Sequence, residues 1–280
     1  MTSAASRGVT AITIGGMTVV LRVSDPFFLD VLARRYEGFI TATTEDAEDA
    51  EADCRSSYTF DVELLPAGEP VVADEDLRVW RDGSLWKLER GDFQAEWDPE
   101  SRRGRIRQTP NPYSIDSVLR IVHTLVLARE GGFLLHAGSA VRNGRAFLFS
   151  GVSGAGKTTI TRLAPADATL LTDEMSYVRR EAGGYFAYGT PFAGELAKAG
   201  ENVRAPLAAV YLLVQGPENR IDDIARPEAT RALLRNILFF APQDPELVPR
   251  LFDFACEFVE HVPVRRLTFL PDARVWELIR

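Results

Sequence analysis

The eight residues Gly151-Val-Ser-Gly-Ala-Gly-Lys157-Thr158 fit the pattern G-x-x-x-x-G-K-[ST]. Glycines at these places let successive backbone N–H groups turn inward around a polyphosphate. Lys157 then reaches the β- and γ-phosphates, and the Thr158 hydroxyl can ligate Mg²⁺. The phosphate-contacting set read from the motif is Gly151, Ser153, Gly154, Ala155, Gly156, Lys157, Thr158 and Thr159. A second group that could do chemistry is the pair Asp173-Glu174. Phosphoryl transfer needs a phosphate cradle, a metal, and a group that orients or deprotonates the acceptor. One carboxylate of the pair could hold Mg²⁺ beside Thr158 and the other take a hydroxyl proton; the residues leave open which does which. His136 is the third candidate, in the apolar run Phe133–Val141. Its imidazole could donate to a phosphate oxygen or to the carboxylate pair, although a histidine in such a run is also a common core residue. Ser139 would face away from His136 unless the strand bends at Gly138. Thr190-Pro191 and Glu195 lie in a loop that could line an acceptor site, and Arg204 could neutralise transferring charge. His123 and His261 carry no comparable context.

These groups need a strand before the loop, a helix after it, and a strand that ends at the acidic pair. Arg145–Ser150 reads as the first, following a turn at Asn143-Gly144. Thr158–Ala164 reads as the helix, stopped near Pro165, with its N-terminal end toward the phosphates. Thr169–Thr172 is a short strand expected to lie beside the loop strand, so that Asp173 and Glu174 face the phosphates. Strands are also expected at Phe133–Val141, Met175–Arg180, Gly184–Tyr188, Leu207–Val214 and Val262–Phe269. Helices are expected at Pro227–Phe240, Pro245–Val259 and Ala273–Ile279, and a mobile stretch from the Thr190 loop to Pro206.

The first part of the chain reads differently. A strand pair around Gly15-Gly16, a short helix at Pro26–Tyr36, a strand at Tyr58–Leu65 and a hairpin over Leu77–Leu88 turning at Asp82-Gly83 precede two further strands, Phe93–Trp97 and Arg105–Gln108. The acidic stretch Thr44–Asp53 reads as a solvated loop or helix face. Pro110-Asn-Pro112 breaks the pattern, and an amphipathic helix begins at Tyr113 or Ser114 and stops at Gly131-Gly132. The expected organisation is a sheet-rich N-terminal α/β domain over 1–109 and a P-loop domain with a mixed sheet over 110–280.

Bulk properties narrow the function classes. A net charge of −8 with no long basic run argues against nucleic acid as a partner. Two distant cysteines, Cys54 and Cys256, make no metal or disulfide pattern and suit a reducing cytoplasm. No apolar stretch is long enough to span a bilayer, so no membrane partner is expected.

Four stretches together are more specific than the loop alone. Leu134-Leu-His-Ala-Gly-Ser-Ala-Val141, Phe147-Leu-Phe-Ser-Gly-Val-Ser-Gly-Ala-Gly-Lys-Thr-Thr159, Leu171-Thr-Asp-Glu174 and Gly189-Thr-Pro-Phe-Ala-Gly-Glu195 resemble the HPr kinase/phosphorylase-like proteins over residues 113–280. The resemblance implies a mixed-sheet P-loop core of the type shared with ATP-dependent phosphoenolpyruvate carboxykinase. It also implies phosphorylation of a hydroxyl, usually a protein serine, by ATP with Mg²⁺. Lys157 and Thr158 match that family's phosphate and magnesium positions, and His136 its strand histidine. Asp173 matches the first residue of its Asp-Asp pair, the base in that family, and Glu174 stands at the second. The family's Leu-Glu-x-Arg-Gly-Leu-Gly signature, which belongs to the phosphorolytic reaction, is not present, and the N-terminal region does not resemble the usual regulatory domain. The chain is also similar to short orphan serine-kinase-like proteins, some found with peptide-modification pathways such as lasso peptides, which places a peptide serine among the acceptors.

The resulting expectation is an ATP-dependent kinase with Asp173, His136 and Lys157 as catalytic groups and a protein or peptide serine as acceptor. A small-molecule alcohol, a non-catalytic nucleotide-binding regulatory module and a plain ATPase are the alternatives. Proteins of the resembling group are often oligomers, and nothing in this sequence decides that point.

Overall fold

The computed structural model describes residues 8–44, 57–66 and 76–280. Cys54 and nearly all of the acidic 44–53 stretch lie outside the described residues. The chain divides into two compact units, Met1–Val122 and His123–Arg280. It is an α/β protein built on two mixed sheets.

The first unit holds β1 (Gly8–Ile14), β2 (Met17–Val23), α1 (Pro26–Arg35), β3 (Ile40–Thr44), β4 (Tyr58–Leu64), β5 (Arg78–Asp82), β6 (Leu85–Arg90), β7 (Phe93–Asp98) and β8 (Arg103–Gln108). The strands order as β3-β1-β2-β4-β8-β7-β6-β5. The β2–β4 and β4–β8 pairs are parallel and the others antiparallel. Gly15 and Gly16 take φ +60° and +76°, the two positive values that a tight two-residue hairpin turn requires. In the β5–β6 hairpin the loop is Gly83-Ser84 rather than Asp82-Gly83, because Asp82 pairs with Leu85. Asp25 caps α1 by accepting the Phe28 amide at 2.8 Å, and Phe28 and Leu32 are its buried face.

The amphipathic segment folds as α2 (Pro112–Glu130), and Gly131 at φ +92° ends it. The division between units falls inside this helix, beyond the Pro110-Asn-Pro112 break. Its first turns are tied to the first unit. Asp116 accepts hydrogen bonds from Arg35 and from the buried Tyr36 hydroxyl, and Ser114 Oγ donates to Asp92 at 2.6 Å. Among the described residues no helix is long and apolar enough to cross a membrane.

The second unit continues with β9 (Gly132–Arg142), β10 (Arg145–Ser150), α3 (Lys157–Arg162), β11 (Thr169–Thr172), β12 (Met175–Glu181), β13 (Gly184–Tyr188), β14 (Arg204–Gln215), β15 (Arg220–Asp223), α4 (Arg226–Asn236), β16 (Ile237–Leu238), α5 (Leu247–His261) and β17 (Val264–Phe269). The main order is β10-β9-β12-β13-β14-β17-β15. β10 also pairs in parallel with β14, so β10, β9, β12, β13 and β14 close a ring. The long strands make this closure. β9 pairs with β12 along 132–136 and with β10 along 137–142. One face of the sheet, around Leu135, Leu148 and Val210, is covered by Leu233 of α4 and by Phe254 and Phe258 of α5. The opposite face, around Phe147, Phe149 and Tyr211, is covered by Ile160 of α3 and by Val275 and Trp276.

Several boundaries differ from the sequence reading. The helix expected to reach Phe240 stops at Asn236, because Ile237 and Leu238 pair with Leu135 and Leu134 of β9. The last expected helix is a 3-10 turn, Ala273–Glu277, started by Asp272 accepting the Arg274 amide. The stretch expected to be mobile is laced to β11. Thr190 N–H donates to Leu171 O, Gly200 N–H to Thr190 O and Glu201 N–H to Leu170 O, all at 2.9–3.0 Å, and Arg204–Pro206 belong to β14.

Candidate functional site

The loop between β10 and α3 is shaped by its glycines. Gly154 and Gly156 have φ +77° and +106°, which side-chain-bearing residues rarely adopt. A Cβ on Gly156 would also sit 2.5 Å from the Phe269 ring. Ala155 is buried in the cluster with Phe149, Ile160 and Phe269, and this anchors the loop from below. Gln215, at the end of β14, donates from Nε2 to Gly154 O at 2.7 Å and holds it from the side. The N–H groups of Ser153, Gly154 and Gly156 make no hydrogen bond among the described residues. α3 is only six residues long, so its macrodipole is small and the loop amides and Lys157 carry the positive field.

Lys157 Nζ lies inside the loop, donating to Gly151 O at 3.0 Å and to Val152 O at 3.3 Å. Burial lowers its pKa from the ordinary lysine value, and the negative charges of Glu195 and Glu174 act in the opposite direction. These two carboxylates are the charges that the structure brings to the lysine. Glu174 is half-buried and Glu195 is exposed.

The acidic pair arrives by a different route from the one expected. β11 does not lie beside β10, because β9 runs between them, antiparallel to both. The direction is still useful, since two reversals leave β11 parallel to β10. Ser150 is opposite Ala137, and the Ala137 N–H donates to Glu174 O at 3.0 Å. The end of β10 and the acidic pair therefore flank the same three residues of β9, His136 to Gly138. Gly138 must lack a side chain there, as a Cβ would come within 2.7 Å of Thr161 on α3.

His136 is half-buried and pairs with Met175, and its carbonyl accepts the Ser150 hydroxyl at 3.1 Å. Strand alternation places its side chain on the same face as Gly138, the face that α3 covers. Ser139 lies on the other face, fully buried, in a strand that continues through Gly138, so it does not neighbour the His136 side chain. His123 is also fully buried, and its ring stands edge-on to Tyr177. His261 Nδ1 bonds to Glu257 O at 2.8 Å within its own helix. Arg204 is committed elsewhere: it pairs with Glu181 and lies 4.9 Å over the Phe186 ring.

Asp173 is buried, at 3% exposure. Oδ1 accepts the Gly194 amide and Oδ2 the Leu196 amide, each at 2.8 Å. Thr172 Oγ1 accepts the amides of Glu174 and Met175 at 3.2 and 3.1 Å, which fixes the backbone turn at the pair. Sequence reading placed Glu195 in an acceptor loop but did not connect it to Lys157. It missed Gln215, Phe269 and Thr172 altogether. The local signal for Glu195 is the stretch Gly189–Glu195, which ends on it with Gly194 just before.

Three hard oxygen donors stand near the loop: the Thr158 hydroxyl and the Glu174 and Glu195 carboxylates. This donor chemistry suits Mg²⁺, which keeps several waters and takes one or two carboxylates. Among the described residues no group of three or more His, Cys, Asp or Glu is gathered tightly enough to cage a metal by itself. Asp173 has both oxygens engaged by backbone amides and fits a ligand role less well than Glu174.

No curated protein matches the chain. The family described as SynChlorMet cassette protein ScmC matches it over residues 108–280, the whole second unit together with α2. On that match, which covers more than half of its length, the chain belongs to the ScmC family.

Proposed function

We propose that this protein is an ATP-dependent kinase that transfers the terminal phosphate to a hydroxyl group. The observation that carries the reading is the Lys157 ammonium, held in a glycine loop after a buried strand, with Glu174 and Glu195 acting on its charge. On this reading the core is of the P-loop type and resembles the HPr kinase-like arrangement. The N–H groups of Ser153, Gly154 and Gly156 and the Lys157 ammonium hold the phosphates. Thr158 and Glu174 would hold Mg²⁺, which would supply neutralisation of the phosphate charge. The acceptor oxygen attacks the γ-phosphorus, the bond to the β-phosphate oxygen breaks, and ADP leaves. The hydroxyl proton passes to a carboxylate facing the loop. His136, on the face that α3 covers, orients the phosphate or the acceptor.

The acceptor we propose is a serine of a protein or peptide, with a small-molecule alcohol as the alternative. A cassette protein works beside the other products of its cassette, so those products are the first acceptors to test. We place the reaction in the cytoplasm, where ATP and reduced cysteines coexist. The test is transfer of labelled terminal phosphate from ATP to cassette products, lysate proteins and a metabolite panel. The reading predicts labelling of a hydroxyl that is lost in Lys157→Ala. Equal labelling by wild type and Lys157→Ala would contradict it. ATP hydrolysis that no acceptor accelerates would favour the ATPase alternative.

A further inference from the structure

Asp173 holds the position that the family resemblance assigns to the base, yet its geometry is that of a fastener. A general base must present an oxygen within hydrogen-bond reach of the acceptor proton. Here both carboxylate oxygens are taken by backbone amides, Gly194 and Leu196, and the side chain is 3% exposed. The two amides flank one residue, Glu195. Gly194 is required for the approach: a Cβ there would lie 2.9 Å from Asp173 Oδ2 and 2.9 Å from Glu174 Cβ. The rest of the loop is fixed independently, by the Thr190 and Gly200 bonds to and beside β11 and by Thr190 Oγ1 donating to Met175 O at 3.0 Å. The 194–196 turn is held by Asp173 together with one bond of its own, the Ala197 N–H donating to Gly194 O at 3.0 Å.

We infer that Asp173 is a positioning residue, a two-amide clamp that sets Glu195 beside Glu174 against Lys157. Glu174 and Glu195 are then the carboxylates exposed to the nucleotide and acceptor. The catalytic consequence rests on the kinase reading, whereas the clamp itself does not.

The experiment measures the clamp and the chemistry separately. Amide hydrogen exchange over residues 190–200, MgATP affinity, and the pH profile of ATP turnover with water as acceptor are compared for wild type, Asp173→Asn and Gly194→Ala. Asparagine keeps the shape but turns one acceptor into a donor facing an amide. It should speed exchange at Gly194 and Leu196 by about tenfold or more, the loss of one charge-assisted bond. MgATP binding should weaken by about the same factor, and the acid limb of the pH profile should remain. Gly194→Ala changes no ionisable group and should reproduce these effects. Unchanged exchange in Asp173→Asn overturns the clamp. Loss of the acid limb in Asp173→Asn, with turnover intact in Gly194→Ala, also overturns the inference and makes Asp173 the base. If exchange responds in both variants while wild type neither binds nor turns over MgATP, the clamp stands and the kinase reading fails.

Discussion

His123 is a buried ionisable group that the proposed chemistry does not use, and replacing it by leucine has a calculable effect. The ring is fully buried and neither nitrogen has a hydrogen-bond partner among the described residues. Burial lowers its pKa from 6.5 to about 3. The unfolded chain binds a proton as the pH drops below 6.5 and the folded chain does not. Stability is therefore fully present above pH 6.5 and is lost progressively as pH falls toward 3. At about 1.4 kcal/mol per unit, the loss by pH 5 is about 2 kcal/mol. His123→Leu removes this dependence. It also removes two buried polar atoms that lack partners, so at pH 7.5 the variant should be as stable as wild type or slightly more so. Urea unfolding of both proteins at pH 7.5 and pH 5 measures the difference. The wild-type stability should fall by about 2 kcal/mol more than that of the variant. Parallel losses in the two proteins would show instead that His123 is solvated or hydrogen-bonded.

Further outcomes follow from other contacts. Gly156→Ala forces a side chain into φ +106° and against Phe269, a combined penalty of about 3 kcal/mol; calorimetry should show loss of MgATP binding, and retained affinity would contradict the proposed cradle. Asp116→Asn breaks the pair with Arg35 and disturbs the bond from the buried Tyr36 hydroxyl, and should destabilise the first unit by about 3 kcal/mol in urea unfolding. Glu195→Gln should raise the Mg²⁺ concentration for half-maximal ATP turnover by about tenfold, and no change would remove Glu195 from the donor set.

The parts of this structure that were legible in the sequence are those fixed by neighbouring residues. Asn143 and Gly144, at φ +51° and +72°, turn β9 into β10, and that turn was visible as Asn-Gly between two apolar runs. Pro112 and Gly131 mark the ends of α2 because each acts on its own backbone. The glycine loop is local in the same way. What was not legible depends on partners distant in sequence. Nothing near Thr169–Thr172 says that β9 will separate it from β10. β3 and β15 are short and polar, and they are strands only because β1 and β17 offer them an edge. The Ala273–Glu277 turn brings Trp276 Nε1 to Ile160 O at 3.0 Å, a contact across 116 positions that no periodicity reveals. Glu195 belongs with these, since its position is set by an aspartate 22 residues earlier through bonds to the two residues beside it.

The central claim is that the Lys157 loop and the Glu174–Glu195 pair form a phosphoryl-transfer site. The most direct measurement is single-turnover transfer of labelled terminal phosphate from MgATP to a serine-bearing protein or peptide acceptor, in wild type, Lys157→Ala and Glu174→Gln. The account predicts a phosphorylated hydroxyl in wild type and a fall of at least about a hundredfold in each variant. Transfer at the wild-type rate in both variants would contradict it.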